Sequence, residues 1–162
     1  MENRVNRLAE NFGTLEELLR KYNAAAAAAM KMESDEIDAI TEKINERDEL
    51  VKKMDQVKSM CTELIDCFDR EDASLIRGML TGTNINQRIK KELVPLHNAI
   101  ISLRSEQIQA VETDKALQAQ FTSRANEAKE ELMKLKNDKK KIDYYASVNP
   151  AGKVGGTLDS SF

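Results

Sequence analysis

The chain has no tryptophan, one histidine, two cysteines, two prolines and six glycines among its 162 residues, and aromatic residues make up 4%. Each scarcity excludes something. A sheet protein needs turn residues at every chain reversal, and they are missing here. Without aromatics, a core must come from Leu, Ile, Val, Met and Ala, which suits a narrow seam between helices better than a thick interior. No run of about eighteen apolar residues is present, so no membrane span is expected. Met1-Glu2-Asn3-Arg4 has no apolar run behind it, and no signal peptide is expected. Cys61 and Cys67 are six apart, about 600° of helical rotation, so they sit on different faces and are expected as reduced thiols in a cytoplasmic protein. The lone His97 has no Cys or His at ligand spacing, so no metal site is expected. A net charge of −3 with both signs interspersed lacks the basic excess of nucleic-acid binders.

What is abundant is helix sequence. Charged residues make up 33% and hydrophobic ones 41%, with Ala, Leu, Glu, Lys and Met prominent. Val5, Leu8, Phe12, Leu15, Leu19, Tyr22, Ala26 and Ala29 follow the four-three spacing of one helix face. Gly13 followed by Thr14-Leu15-Glu16-Glu17 has the form of a capping box, which places the strong part of this helix from Thr14 onward. Glu33-Ser34-Asp35 reads as a joint, since Ser and Asp favour helix N-caps. A second seam runs through Ile37, Ile40, Ile44, Val51, Met54, Val57, Cys61, Leu64 and Phe68, interrupted at Arg47. From Asp69 to Asn86 the pattern loosens, and either a hinge or a short packed helix fits it.

The longest periodic stretch runs from about Asn84 to Tyr145, through Ile89, Leu93, Leu96, Ile100, Leu103, Ala110, Leu117, Phe121, Ala125, Ala128, Leu132, Leu135 and Ile142. A continuous helix of that extent is roughly 90 Å long at 1.5 Å per residue. Pro95 should kink or restart it. Gln107 and Asp114 fall in the seam, where looser packing or a partner contact is expected. The fold class that follows is all-α: an elongated antiparallel helical bundle or coiled coil of about three helices, with one very long C-terminal helix. Residues 1–145 are read as the helical domain and 146–162, with three of the six glycines, as a flexible tail.

No catalytic constellation emerges and no cofactor is expected. Acidic pairs such as Glu130-Glu131 lie on faces crowded with Lys. Gly78-Met79-Leu80-Thr81-Gly82-Thr83 lacks the Lys of a phosphate loop. Lysines from Lys136 to Lys141 fit a helix C-terminus, where they oppose the macrodipole. Tyr144 and Tyr145 point different ways on a helix, so at most one enters a seam and the other is a candidate contact residue. Val148, Val154, Leu158 and Phe162 are spaced apolar residues that a plain linker does not need, and they complete the candidate partner-binding set.

The paired leucines of Leu15-Glu16-Glu17-Leu18-Leu19, the acidic joint with Ile37-Asp38-Ala39-Ile40-Thr41-Glu42-Lys43, Asp48-Glu49-Leu50, then Tyr144-Tyr145, Gly152 and Leu158-Asp159 follow one another in a familiar order. In this order of elements the chain resembles the FlgN family of flagellar type III export chaperones over most of its length. The resemblance implies a bacterial cytoplasmic chaperone that binds hook-filament junction (hook-associated) proteins and delivers them to the export gate, with cargo held by residues 144–162. A structural coiled-coil scaffold, self-associating as a homodimer, and a chaperone for another type III substrate are the alternatives.

Overall fold

In the computed structural model, which describes residues 1–83 and 89–148, the chain has no β-strand among the described residues. Helix α1 spans Glu2–Lys31. It buries Val5, Leu8, Phe12 and Leu15, and half-buries Leu19 and Tyr22, as the four-three spacing predicts. The helix does not start at Thr14. Thr14 lies mid-helix and its hydroxyl donates to the Glu10 carbonyl at 3.1 Å. Burial of Val5, Leu8 and Phe12 carries the helix through Gly13, whose cost in a helix interior is about 1 kcal/mol, against about 1.5–3 kcal/mol for each large side chain buried.

Helix α2, Ile37–Asp66, follows a short joint at the predicted place, although its N-cap is Glu36 and no side chain caps it. It runs antiparallel to α1: Arg4, near the start of α1, donates to the Cys67 carbonyl just past the end of α2 at 2.5 Å. The buried face of α2 is Arg47, Leu50, Met54, Val57, Cys61 and Ile65. Arg47, which interrupts the sequence seam, is thus part of the buried face, and Leu50 takes the inward place predicted for Val51.

The loose region resolves into a packed helix, α3, Arg70–Thr81, with Ile76 and Met79 fully buried. The Asp69 carboxylate caps it, accepting from the Asp72 amide at 2.8 Å. Asp72 is itself fully buried and pairs with Lys90 Nζ at 2.6 Å, which ties α3 to the segment beyond residues 84–88 and holds the Lys90 ammonium above the usual lysine range. Helix α3 ends on Gly82 at φ 86°, with Thr83 N donating to Gly78 O and Gly82 N to Met79 O, the two bonds of a Schellman motif. A Cβ at Gly82 would stand 2.6 Å from the Arg104 guanidinium, which donates to the Leu80 carbonyl.

A single 3-10 turn, Lys91–Leu93, leads into α4, Val94–Val148, one helix of 55 residues. The helix therefore starts later than the periodicity alone suggests. Pro95 restarts the chain at the first turn of α4, where its missing N–H is harmless. Helix α4 extends through Val148, so residues 146–148 of the predicted tail are helical; the remainder lies outside the described residues.

Two compact units divide the chain, Met1–Gln120 and Phe121–Phe162. In the first, α4 runs parallel to α1, as the pairs Arg20–Glu106, Tyr22–Asp114 and Met30–Gln120 rise together in number. Val5, Leu8 and Phe12 of α1, Met54 and Ile65 of α2, Ile76 and Met79 of α3 and Leu96, Ile100 and Leu103 of α4 belong to one core. In the second unit the described residues are helix alone, and Ala125 through Val148 are exposed.

The two thiols differ accordingly. Cys61 faces the core and burial pushes its thiol up to about 11 from 9.0, whereas Cys67 is exposed. A thiol reagent such as DTNB is expected to modify one cysteine per native chain, Cys67, and both after unfolding. The raised value also favours the folded state only while the thiol is neutral. That contribution is complete below about pH 9 and is lost as pH climbs towards 11, a decline that Cys61→Ala should flatten in alkaline denaturation curves.

Candidate protein-binding surface

Two features stand out once the core is removed from consideration. The first is a polar node inside the first unit. Asp114 of α4 accepts from the Tyr22 hydroxyl at 3.0 and 3.2 Å and pairs with Arg47 of α2. The Arg47 guanidinium carbon lies 3.9 Å from the centre of the Tyr22 ring, a cation–π stack. Burial, ahead of the charges around it, raises the Tyr22 phenol above its ordinary value. Arg47 is deep, with its side chain 10% exposed, while the Asp114 side chain is 47% exposed.

Beside the node lies an open cavity of about 270 Å³ lined by apolar residues that include Leu15, Leu19, Met54 and Leu103 and by Tyr22, Lys58, Gln107 and Asp114. This is the loose packing expected where Gln107 and Asp114 enter the seam. The cavity has a mostly apolar wall, with Tyr22, Lys58, Gln107 and Asp114 as the polar side chains, and is large enough to take a side chain. His97 is half-buried in the first turns of α4, and no group of three His, Cys, Asp or Glu among the described residues is placed to hold a metal ion.

The second feature is the second unit's stretch of α4. Stepping about 100° per residue, Ala125, Ala128, Leu132, Leu135, Lys139, Ile142 and Ala146 share one face. Leu132, Leu135 and Ile142 are 54%, 69% and 66% exposed. This continues the heptad spacing of the sequence, but the core-facing role expected for these leucines is not observed: they face solvent. Isolated exposed leucines are ordinary, whereas a heptad row of them is a feature of helices that receive another helix.

The predicted contact residues divide around this row. Tyr144 and Tyr145 are both exposed, and their rings meet edge to face at 5.9 Å. Tyr145 lies about 100° from the middle of the apolar row and forms its border, while Tyr144 and the exposed Val148 lie on the far side. Tyr144, Tyr145 and Val148 themselves span about 100° of the helix, so one face can present all three, but it is not the face of Leu132, Leu135 and Ile142. Val154, Leu158 and Phe162 lie outside the described residues. Sequence reasoning placed Leu132, Leu135 and Ile142 in the core and so missed them as surface residues; the signal available was the rise in Lys and Glu on every flank after Phe121.

No part of the described chain meets the length and hydropathy of a membrane-crossing helix. The chain matches no protein-family model, no curated protein and no solved structure.

Proposed function

We propose that this chain is a cytoplasmic export chaperone of the FlgN kind, which takes up an amphipathic terminal helix of a hook-associated protein on the C-terminal part of α4 and presents it to the type III export gate. The observation that carries the reading is the exposed row Leu132, Leu135 and Ile142, at helical spacing on a helix that is solvent-exposed throughout residues 125–148. A partner helix laid along it buries apolar surface on both sides, which is the helix-in-groove mode of recognition. The order of sequence elements supplies the cargo class, and the bundle of the first unit supplies a folded base that needs no cargo to form its core.

Co-expression with hook-filament junction proteins tests this. The wild-type chain should be recovered in a stoichiometric complex, and Leu132→Glu/Leu135→Glu should weaken it at least tenfold, about the effect of losing one interfacial hot spot. Circular dichroism of the variant should match the wild type, because both positions are exposed. Ending the chain at Tyr145 separates the apolar row from the last residues. A complex that survives the glutamates but not the truncation moves cargo binding from the apolar row to residues 146–162.

A further inference from the structure

The charges bordering the apolar row of α4 carry a further inference, which rests on the reading of that row as a helix-docking face. On one edge stand Arg124, Glu131 and Asp138; on the other stand Lys129, Lys136 and Asp143, so the central pair of each edge carries one sign and its end residue the other. Lys139 lies within the row itself, between Leu135 and Ile142. Apart from the half-buried Arg124 these residues are exposed, and Asp138 makes a long ion pair with Lys141, outside the borders, at 4.0 Å.

Consider a second copy as the occupant. Two copies paired antiparallel, with Leu132 facing Leu135 of the other, set Glu131 against Asp138 and Lys129 against Lys136, like charge on like charge along both borders. Paired parallel and in register, they set Lys139 against Lys139, Asp138 against Asp143 and Arg124 against Lys129, with only Glu131 and Lys136 attracting. Flanking charges of this kind choose partners more than they add affinity, and repulsion across a seam excludes the wrong one. We infer that this face rejects a second copy and takes a foreign amphipathic helix whose two borders carry the inverted charges: acidic against Lys129 and Lys136, basic against Glu131 and Asp138. The row supplies the attraction and the borders supply the choice.

The test uses the full-length chain and two synthetic peptides spanning residues 121–148. One has the native sequence; the other carries Lys129→Glu, Lys136→Glu, Glu131→Lys and Asp138→Lys. Fluorescence anisotropy at low salt should show the inverted peptide binding at least tenfold more tightly than the native one, with the gap closing as salt screens the borders over about 10 Å. Leu135→Glu in the full-length chain should remove binding of the inverted peptide. Equal binding of the two peptides, or binding of neither, overturns the inference. So does a full-length dimer in sedimentation that Leu135→Glu dissociates, since a second copy would then be the occupant. Binding that appears only after residues 149–162 are removed also overturns it, by making the chain's own last residues the occupant. If the inverted peptide binds while hook-associated proteins do not, the chaperone assignment falls and the charge rule stands; if cargo binds while the peptides are indistinguishable, the reverse holds.

Discussion

Phe12→Ala is expected to destabilise the protein by about 3–5 kcal/mol, the largest effect of any single truncation considered. Phe12 is 2% exposed and belongs to the core that joins all four helices, so its ring is surrounded by side chains from elements distant in sequence. Deleting the ring loses its transfer free energy and leaves a cavity that rigid neighbouring helices close only in part. Set against a total stability of about 5–15 kcal/mol, that loss should lower the melting temperature by about 10 °C or more for a chain of this size. The matching control is Leu135→Ala, whose side chain is exposed: its stability should stay within about 0.5 kcal/mol of wild type. Thermal melts of the two variants followed by circular dichroism decide the matter. A stability loss at Leu135 approaching that at Phe12 would mean that this row is covered in solution.

The polar node should produce the second-largest effect, and its sign depends on which partner is removed. Asp114→Ala leaves the Arg47 guanidinium, 10% exposed and with its Nε already lacking a partner, buried without a counter-charge. Breaking a buried pair in this way costs about 3–5 kcal/mol; because Asp114 is half-exposed and water reaches the pair, about 2–3 kcal/mol is expected here. Arg47→Met is expected to cost much less. It removes the buried charge together with the pair, the exposed Asp114 carboxylate hydrates, and a methionine side chain still covers the Tyr22 ring. The double variant should therefore be more stable than Asp114→Ala alone. Urea unfolding of the three variants checks this, and a double variant no better than Asp114→Ala would show that the ion pair is not what holds α2 to α4 at this level.

Much of the bundle was legible in the residues. The four-three spacing of Val5 to Ala29 marks the inward face of α1, with Leu19 and Tyr22 half-buried and Ala25 joining it, because a helix that packs along its length leaves its period in the sequence. The joint between α1 and α2 falls where Ser34 and Asp35 predict it, although neither caps α2, and the restart of the chain at Pro95 was legible because a missing N–H acts within a turn. Capping logic failed at Thr14, where a local start signal was outweighed by core residues on both sides of Gly13, which carry one helix through it. Helix α3 was ambiguous, since twelve residues hold too few periods to separate a packed helix from a hinge; what packs it is the contact of Ile76 and Met79 with residues far away in the chain.

The candidate surface shows the division most sharply. Helical type, the apolar row of α4 and the charges along its borders are properties of the chain alone, since side-chain direction follows from a 3.6-residue turn and nothing else. Which part of that row is core and which is surface was decided by tertiary structure. The period is the same on both sides of Gln120, yet Leu117 is 5% exposed and Leu135 is 69% exposed. Periodicity records which face of a helix is apolar and carries no record of whether a neighbour stands opposite it. The same holds for Arg47, which interrupts the seam in sequence, and for Asp72: both are buried beside Asp114 and Lys90, partners remote in sequence that the fold brings to them.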